Sequence, residues 1–138
     1  MNAKERHERM SVCVEALKLE NFHTPVLVEG LRDEQALRRL GLEGEIIIYN
    51  SGQTLGATAD ALARTHKRLI LLLDWDRTGG HLVKRFLEHV HAQLELDLTY
   101  RKEFSIVSQV KSVEDLPAAV RLIEDRAGSD PTDDFGIA

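Results

Sequence analysis

The sequence is poor in the residues that mark several protein classes. Its 138 residues include one cysteine and three prolines, and only 5% of them are aromatic. A disulfide scaffold, a collagen-like repeat and long disorder are therefore excluded. No run reaches the roughly 18 apolar residues that a membrane helix requires, and the first seven residues lack the apolar core of a signal peptide. We therefore expect a cytoplasmic protein that does not associate with a membrane.

An excess of basic charge is also absent. The formal net charge is −5, and the segment from Glu124 onward contributes −4 of it through five acids and one base. The rest of the chain is close to neutral and has no belt of lysine and arginine, which strong sequence-independent binding of nucleic acid requires. A nucleic-acid substrate would therefore need a metal ion or a partner protein to offset charge repulsion.

Short apolar runs alternate with amphipathic segments along the chain. The runs at Val26–Val28, 46–49 and 69–73 predict strands, and residues 104–107 predict a fourth. The run at 69–73 has no polar alternation, which is typical of a central parallel strand covered on both faces. The alternation predicts a compact Rossmann-like α/β domain with a mostly parallel four-stranded sheet flanked by helices.

Three segments are expected. Residues 1–22 form an amphipathic helix that either covers the sheet or makes a homodimer contact, with Cys13 on its apolar face. Residues 23–126 form the α/β domain, whose last helix is preceded by Ser112 and Asp115 at the spacing of a capping box. Residues 127–138 form an acidic tail that we expect to fray.

Three carboxylates follow predicted strands directly. Glu29 follows the first strand, Asp74 and Asp76 follow the third, and Asp33 lies one helical turn beyond Glu29. The carboxyl ends of parallel strands meet at one edge of a sheet, which is where α/β proteins bind ligands. Clustered carboxylates repel one another unless they are protonated or share a cation, and Mg²⁺ prefers such hard oxygen ligands. In extended backbone the two aspartates of the 74–76 segment would face one way and Trp75 the other.

Each of these acids has a simpler interpretation as a helix cap or a solvated loop residue, but three of them at strand ends favour a shared cation. Neighbouring residues are candidates for substrate contact or for support of the site, because glycines let phosphate approach backbone amides and arginines pair with phosphate. Tight turns and surface ion pairs are the alternatives for these residues. This group comprises Gly30, Arg32, Asp33, Ser51, Gly52, Arg77, Gly79 and Gly80.

Two segments resemble the motifs of a known family. Residues 28–37 (VEGLRDEQAL) resemble the first motif of the TOPRIM domain of topoisomerases and primases, and residues 72–80 (LLDWDRTGG) resemble its Asp-x-Asp motif. The similarity covers about residues 25–123 and implies the TOPRIM fold. It also implies that Glu29 acts as general acid or base and contacts metal, while Asp74 and Asp76 hold one or two Mg²⁺ ions, for which Mn²⁺ can substitute.

The resemblance implies a small stand-alone protein, because the tyrosine-bearing domain of a topoisomerase and the zinc module of a primase are absent. We expect Mg²⁺-dependent handling of phosphodiesters in DNA or RNA, as a nuclease or phosphotransfer enzyme. The alternative is a non-catalytic module that binds metal and nucleic acid together with a partner subunit. A phosphatase or receiver-like domain is a weaker alternative, since phosphatases carry their aspartate pair after the first strand and Lys111 is the only receiver-type lysine.

Overall fold

Strands and helices alternate along the chain, as the sequence predicts. The structure is a computed structural model and describes residues 1–49, 52–90 and 94–129. Within these residues the elements, in chain order, are α1 (Ala3–Asn21), β1 (Val26–Val28), α2 (Leu31–Leu40), β2 (Ile46–Ile48), α3 (Leu55–Thr65), β3 (Arg68–Leu71), α4 (Arg77–His89), β4 (Glu95–Asp97), α5 (Thr99–Val107) and α6 (Leu116–Gly128).

The four strands form one parallel sheet in the order β2-β1-β3-β4. The predicted α/β class and parallel sheet are therefore confirmed, and β1 and β3 are the two central strands. Residues Val26 to Val28 and Leu69 to Leu73 are almost completely buried. Continuous apolar runs are needed here because helices cover both faces of the sheet.

Alternate residues of the central strands point into two different cores. Val28 and Ile70 face the layer formed by α1, α2, α5 and α6, while Leu27 and Leu71 face the layer formed by α3 and α4. The N-terminal helix buries one side, including Leu17, in the first of these cores. Of the two roles expected for this helix, the structure therefore supports covering the sheet.

The strand predicted at residues 104–107 is wrong. This segment belongs to α5, where Phe104 and Val107 are both fully buried one helical turn apart. A short, mostly apolar segment fits both the two-residue period of a strand and the 3.6-residue period of a helix. Here the segment is helical. The fourth strand is Glu95–Asp97 at the sheet edge, where Arg68 of β3 forms ion pairs with Glu95 and Asp97.

The end of the described chain also differs from expectation. Helix α6 begins at Leu116, and Ser112 donates a side-chain hydrogen bond of 2.8 Å to Asp115, so the predicted capping box does not form. Ala127 is buried within α6, which places the start of any tail beyond Gly128. Residues 130–138 of the predicted tail lie outside the described residues. No helix in the described ranges is long and apolar enough to span a membrane.

Candidate metal centre

The sheet order creates a crevice at the carboxyl end of β1 and β3. The chain passes from β1 to β2 on one side and later returns to β3 on the other, so the connections diverge between the two central strands. Such a switch point is where open α/β sheets bind ligands. Glu29 follows β1 and Asp74 follows the buried run that continues β3, which brings both carboxylates to this crevice.

Three carboxylates converge there. Oxygen atoms of Glu29, Asp33 and Asp74 all lie within 4.8 Å of one another. Asp33 is buried in the first turn of α2, where it also accepts a hydrogen bond of 3.1 Å from the backbone N–H of Gly30. Asp74 accepts a hydrogen bond of 2.9 Å from the backbone N–H of Val113, which precedes α6. The three side chains thus come from two strand ends and one helix start.

The cluster changes the proton affinity of Glu29 and Asp33. Burial, a hydrogen bond with Asp74 and the negative charges of Asp74, Asp33 and Asp76 raise the pKa of Glu29 to about 7. Burial and the charge of Asp74 also raise the pKa of Asp33, although the hydrogen bond from the Gly30 amide opposes that shift. Near neutral pH, Glu29 is therefore able to hold a proton beside the other two carboxyl groups.

Asp76 lies at the edge of this cluster. Its side chain accepts a hydrogen bond of 2.7 Å from the backbone N–H of Gly79 and so caps α4. The three mutually close carboxylates therefore include Asp33, which the sequence placed among supporting residues, while Asp76 lies outside this group and caps α4. Trp75 is partly buried and packs against the core, where its ring stacks on Phe104 at a centroid distance of 5.9 Å.

Arg101 supports the crevice from α5, and no local sequence pattern indicates this role. Its guanidinium donates hydrogen bonds of 2.9 Å to the carbonyl of Leu73 and 2.8 Å to the carbonyl of Asp74. Burial lowers the pKa of Arg101, while the charges of Asp74, Glu29 and Asp76 act in the opposite direction. This partly buried cation fixes the backbone that carries Asp74 and reduces repulsion among the acids.

The glycines near the crevice have different roles. A Cβ on Gly79 would lie 1.9 Å from the carbonyl oxygen of Asp74, so close packing of α4 on that backbone requires a glycine. Positions 30 and 80 are open, since a Cβ on either glycine would meet no atom within 4 Å. Gly30 is the N-cap of α2. Gly30 and Gly80 therefore border open space, and Gly79 serves packing.

The remaining predicted residues lie farther out. Arg32 is largely exposed and pairs with Glu114 at 3.7 Å. Arg77 is exposed at the first position of α4, and Gly52 is exposed in the turn before α3. Ser51 lies outside the described residues.

Comparisons with known proteins found relatives along most of the chain. It is 35% identical over 120 residues to a UPF0292 protein of Methanocaldococcus jannaschii, covering 84% of this chain and 93% of that protein. It is 32% identical over 114 residues to a UPF0292 protein of Pyrococcus furiosus, covering 81% of this chain and 84% of the relative. No family model matches the chain.

A solved structure shares the fold. A putative protein from Aquifex aeolicus superposes with a TM-score of 0.65 at 24% sequence identity, covering 76% of this chain and 95% of that one. At this identity the likeness concerns the Rossmann-like fold.

Proposed function

The chain belongs to the UPF0292 family, and we propose that it is a Mg²⁺-dependent protein of the TOPRIM class that handles phosphodiesters in nucleic acid. The observation that carries this proposal is the convergence of Glu29, Asp33 and Asp74 at the switch point of the sheet. The resemblance of residues 28–37 and 72–80 to the two TOPRIM motifs supports it, because these segments supply all three carboxylates.

The donor set suits a hard divalent cation. Three carboxylates within 4.8 Å of one another offer only oxygen ligands, and no histidine or cysteine belongs to the group among the described residues. Mg²⁺ prefers such oxygens, and Mn²⁺ accepts them too. Glu29, Asp33 and Asp74 would hold one ion, and Asp76, whose negative charge acts on Glu29, would contribute to holding a second ion. When bound, the metal supplies charge neutralisation for a phosphodiester and activation of a water molecule.

The protein's own residues supply positioning and proton transfer. In the metal-free protein the Glu29 carboxyl has a pKa of about 7 and is able both to accept and to donate a proton near neutral pH. A bound cation would favour its ionised form, which is the form that acts as a general base. Arg101 holds the backbone at Leu73 and Asp74 through two hydrogen bonds. Gly30 leaves space at the crevice for a phosphate to approach.

The test combines metal binding with catalysis. Calorimetric titration with Mg²⁺ and Mn²⁺ is made on the wild type, on an Asp33→Asn, Asp74→Asn double variant and on Glu124→Gln. The last variant is a control that removes one exposed charge from the C-terminal half of α6. The same samples are incubated with supercoiled plasmid and with end-labelled single-stranded DNA and RNA. We expect metal binding in the wild type and in the control, at least a tenfold loss of affinity in the double variant, and metal-dependent cleavage that Glu29→Gln abolishes.

The outcomes separate the two functional classes. Metal binding without cleavage would contradict the enzyme hypothesis and support a non-catalytic module that acts with a partner subunit. Failure of the wild type to bind either metal would overturn the proposal.

A further inference from the structure

The outward side of α4 is basic. Opposite its buried residues Val83 and Phe86, the helix exposes a row of polar side chains with one acid among them. The row consists of Arg77, His81, Lys84, Arg85 and Glu88, and we call it the α4 face. With three permanent cations against one acid, this face is positive on a chain whose net charge is −5.

The cations of the α4 face lack partners within the described residues. Arg77, Lys84 and Arg85 form no ion pair or hydrogen bond through their side chains there, whereas Arg9 and Arg68 are paired with acids. Helix α1 differs in its charge balance, because it contains four basic residues and an equal number of glutamates. Unpaired cations grouped on one face create a local positive potential that attracts an anionic ligand.

The α4 face leads away from the acidic cluster. Helix α4 begins directly after Asp76, and Arg77 is its first residue. At about 1.5 Å rise per residue, Lys84 lies about 10 Å along the axis from Arg77. A nucleic-acid strand in a duplex carries one phosphate about every 3.4 Å along its axis, so the row matches about three successive phosphates.

We propose that the α4 face binds the phosphate backbone of a nucleic acid whose reacting phosphodiester lies at the acidic cluster. This inference rests on the proposed function, and it supplies the positive surface that the composition of the whole chain lacks. It also gives a direction to the bound strand, from the switch-point crevice outward along α4.

A lipid surface fits the α4 face less well. Peripheral membrane helices insert an apolar side between lipid headgroups, but the apolar side of α4 is buried against the sheet through Val83 and Phe86. The exposed row contains no large apolar or aromatic side chain, and Leu87, which is 45% exposed on the same helix, lies outside the row and is a single side chain. A polyanion bound by charge alone needs no such anchor, and this favours nucleic acid.

The test compares two triple variants of equal charge change. Arg77→Gln, Lys84→Gln, Arg85→Gln removes the cations of the α4 face, and Arg39→Gln, Lys102→Gln, Arg121→Gln removes three exposed cations from helices of the opposite layer. Binding of fluorescein-labelled 20-nucleotide single strands and duplexes, in DNA and RNA, is followed by fluorescence anisotropy in EDTA from 20 to 200 mM salt. Circular dichroism checks that both variants remain folded.

We expect the α4 variant to lose at least tenfold in affinity at low salt, with the slope of log K against log salt reduced by about two to three. The control variant should change affinity by no more than about twofold. Equal losses in both variants, or no binding by the wild type at 20 mM salt, would overturn the inference. So would binding of the wild type to anionic phospholipid vesicles that is as strong as its binding to oligonucleotides and equally dependent on the α4 face.

Calorimetry with Mg²⁺ on the α4 variant separates this inference from the proposed function. Unchanged metal binding together with lost oligonucleotide binding would support both. Oligonucleotide binding that persists in the α4 variant, with metal binding intact, would overturn only the role of the α4 face. A wild type that binds oligonucleotides through the α4 face but binds no metal would overturn only the proposed function.

Discussion

Arg101 of α5 donates a hydrogen bond of 2.8 Å to the backbone carbonyl of Asp74, so the acidic cluster is supported from the helix layer beneath it. A second bond from the same guanidinium to the carbonyl of Leu73 makes the support bidentate. An arginine suits this position because its planar fork spans two acceptors and its charge persists despite partial burial.

Two replacements of Arg101 distinguish the effect of its charge from the effect of its hydrogen bonds. Arg101→Gln and Arg101→Lys should each lower the free energy of unfolding by about 1 to 3 kcal/mol, because neither side chain spans both carbonyls as the guanidinium does and at least one partly buried carbonyl loses its donor. Only Arg101→Gln should raise the pKa of Glu29 further, since lysine retains the positive charge. Chemical denaturation and NMR titration of the Glu29 carboxyl measure the two effects. Equal pKa values in both variants would contradict the electrostatic part of this role.

Glu29 should make the metal-free protein less stable as the pH rises. Its pKa is about 7 in the folded protein, against an ordinary value of 4.5, so the folded state holds more protons between these values than the unfolded state does. The free energy of unfolding should therefore fall by about 2 to 3 kcal/mol as pH rises through this window. Glu29→Gln should flatten that dependence and melt at a higher temperature than the wild type at pH 8. Thermal melts in EDTA from pH 4.5 to 8.5 measure this difference.

The individual aspartates should differ in their effect on metal affinity. Asp33→Asn should weaken Mg²⁺ binding about tenfold or more. The loss of affinity in Asp76→Asn should be several-fold smaller than the loss in Asp33→Asn. Asparagine retains the oxygen that accepts the Gly30 or Gly79 amide, so both caps survive and only the charge changes. Calorimetry on the two single variants makes the comparison. An equal or larger loss in Asp76→Asn would place the ion closer to α4, as the sequence alone had indicated.

The two adjacent glycines of α4 should respond oppositely to alanine. Gly79→Ala should destabilise the fold by about 3 kcal/mol or more, because its Cβ would collide with the Asp74 carbonyl oxygen. Gly80→Ala should stabilise it by up to about 1 kcal/mol, since its Cβ meets open space and alanine is the better helix former. Urea denaturation of both variants tests the contrast. If Gly79→Ala were as stable as the wild type, the close packing of α4 against Asp74 would be refuted.

The sequence predicts most of the sheet because buried apolar runs such as Val26–Val28 have few other environments available. It misses β4 because an edge strand is half exposed, and this one is held by ion pairs from Arg68 to Glu95 and Asp97. The same reasoning finds Glu29, which follows β1 directly, and Asp74, which follows the buried run that continues β3. Arg101 and the amide of Val113 reach the crevice from helices and loops whose approach depends on tertiary packing, so no local pattern indicates them.

The pairing of β1 with β3 has a consequence for the order in which the molecule assembles. These strands are joined through α2, β2 and α3, so their pairing closes a long loop, which is slow to form. Glu29 and Asp74 are held side by side only after that closure. Capture of a divalent cation during refolding would therefore report completion of the central sheet, and its time course would follow the slowest long-range step of folding.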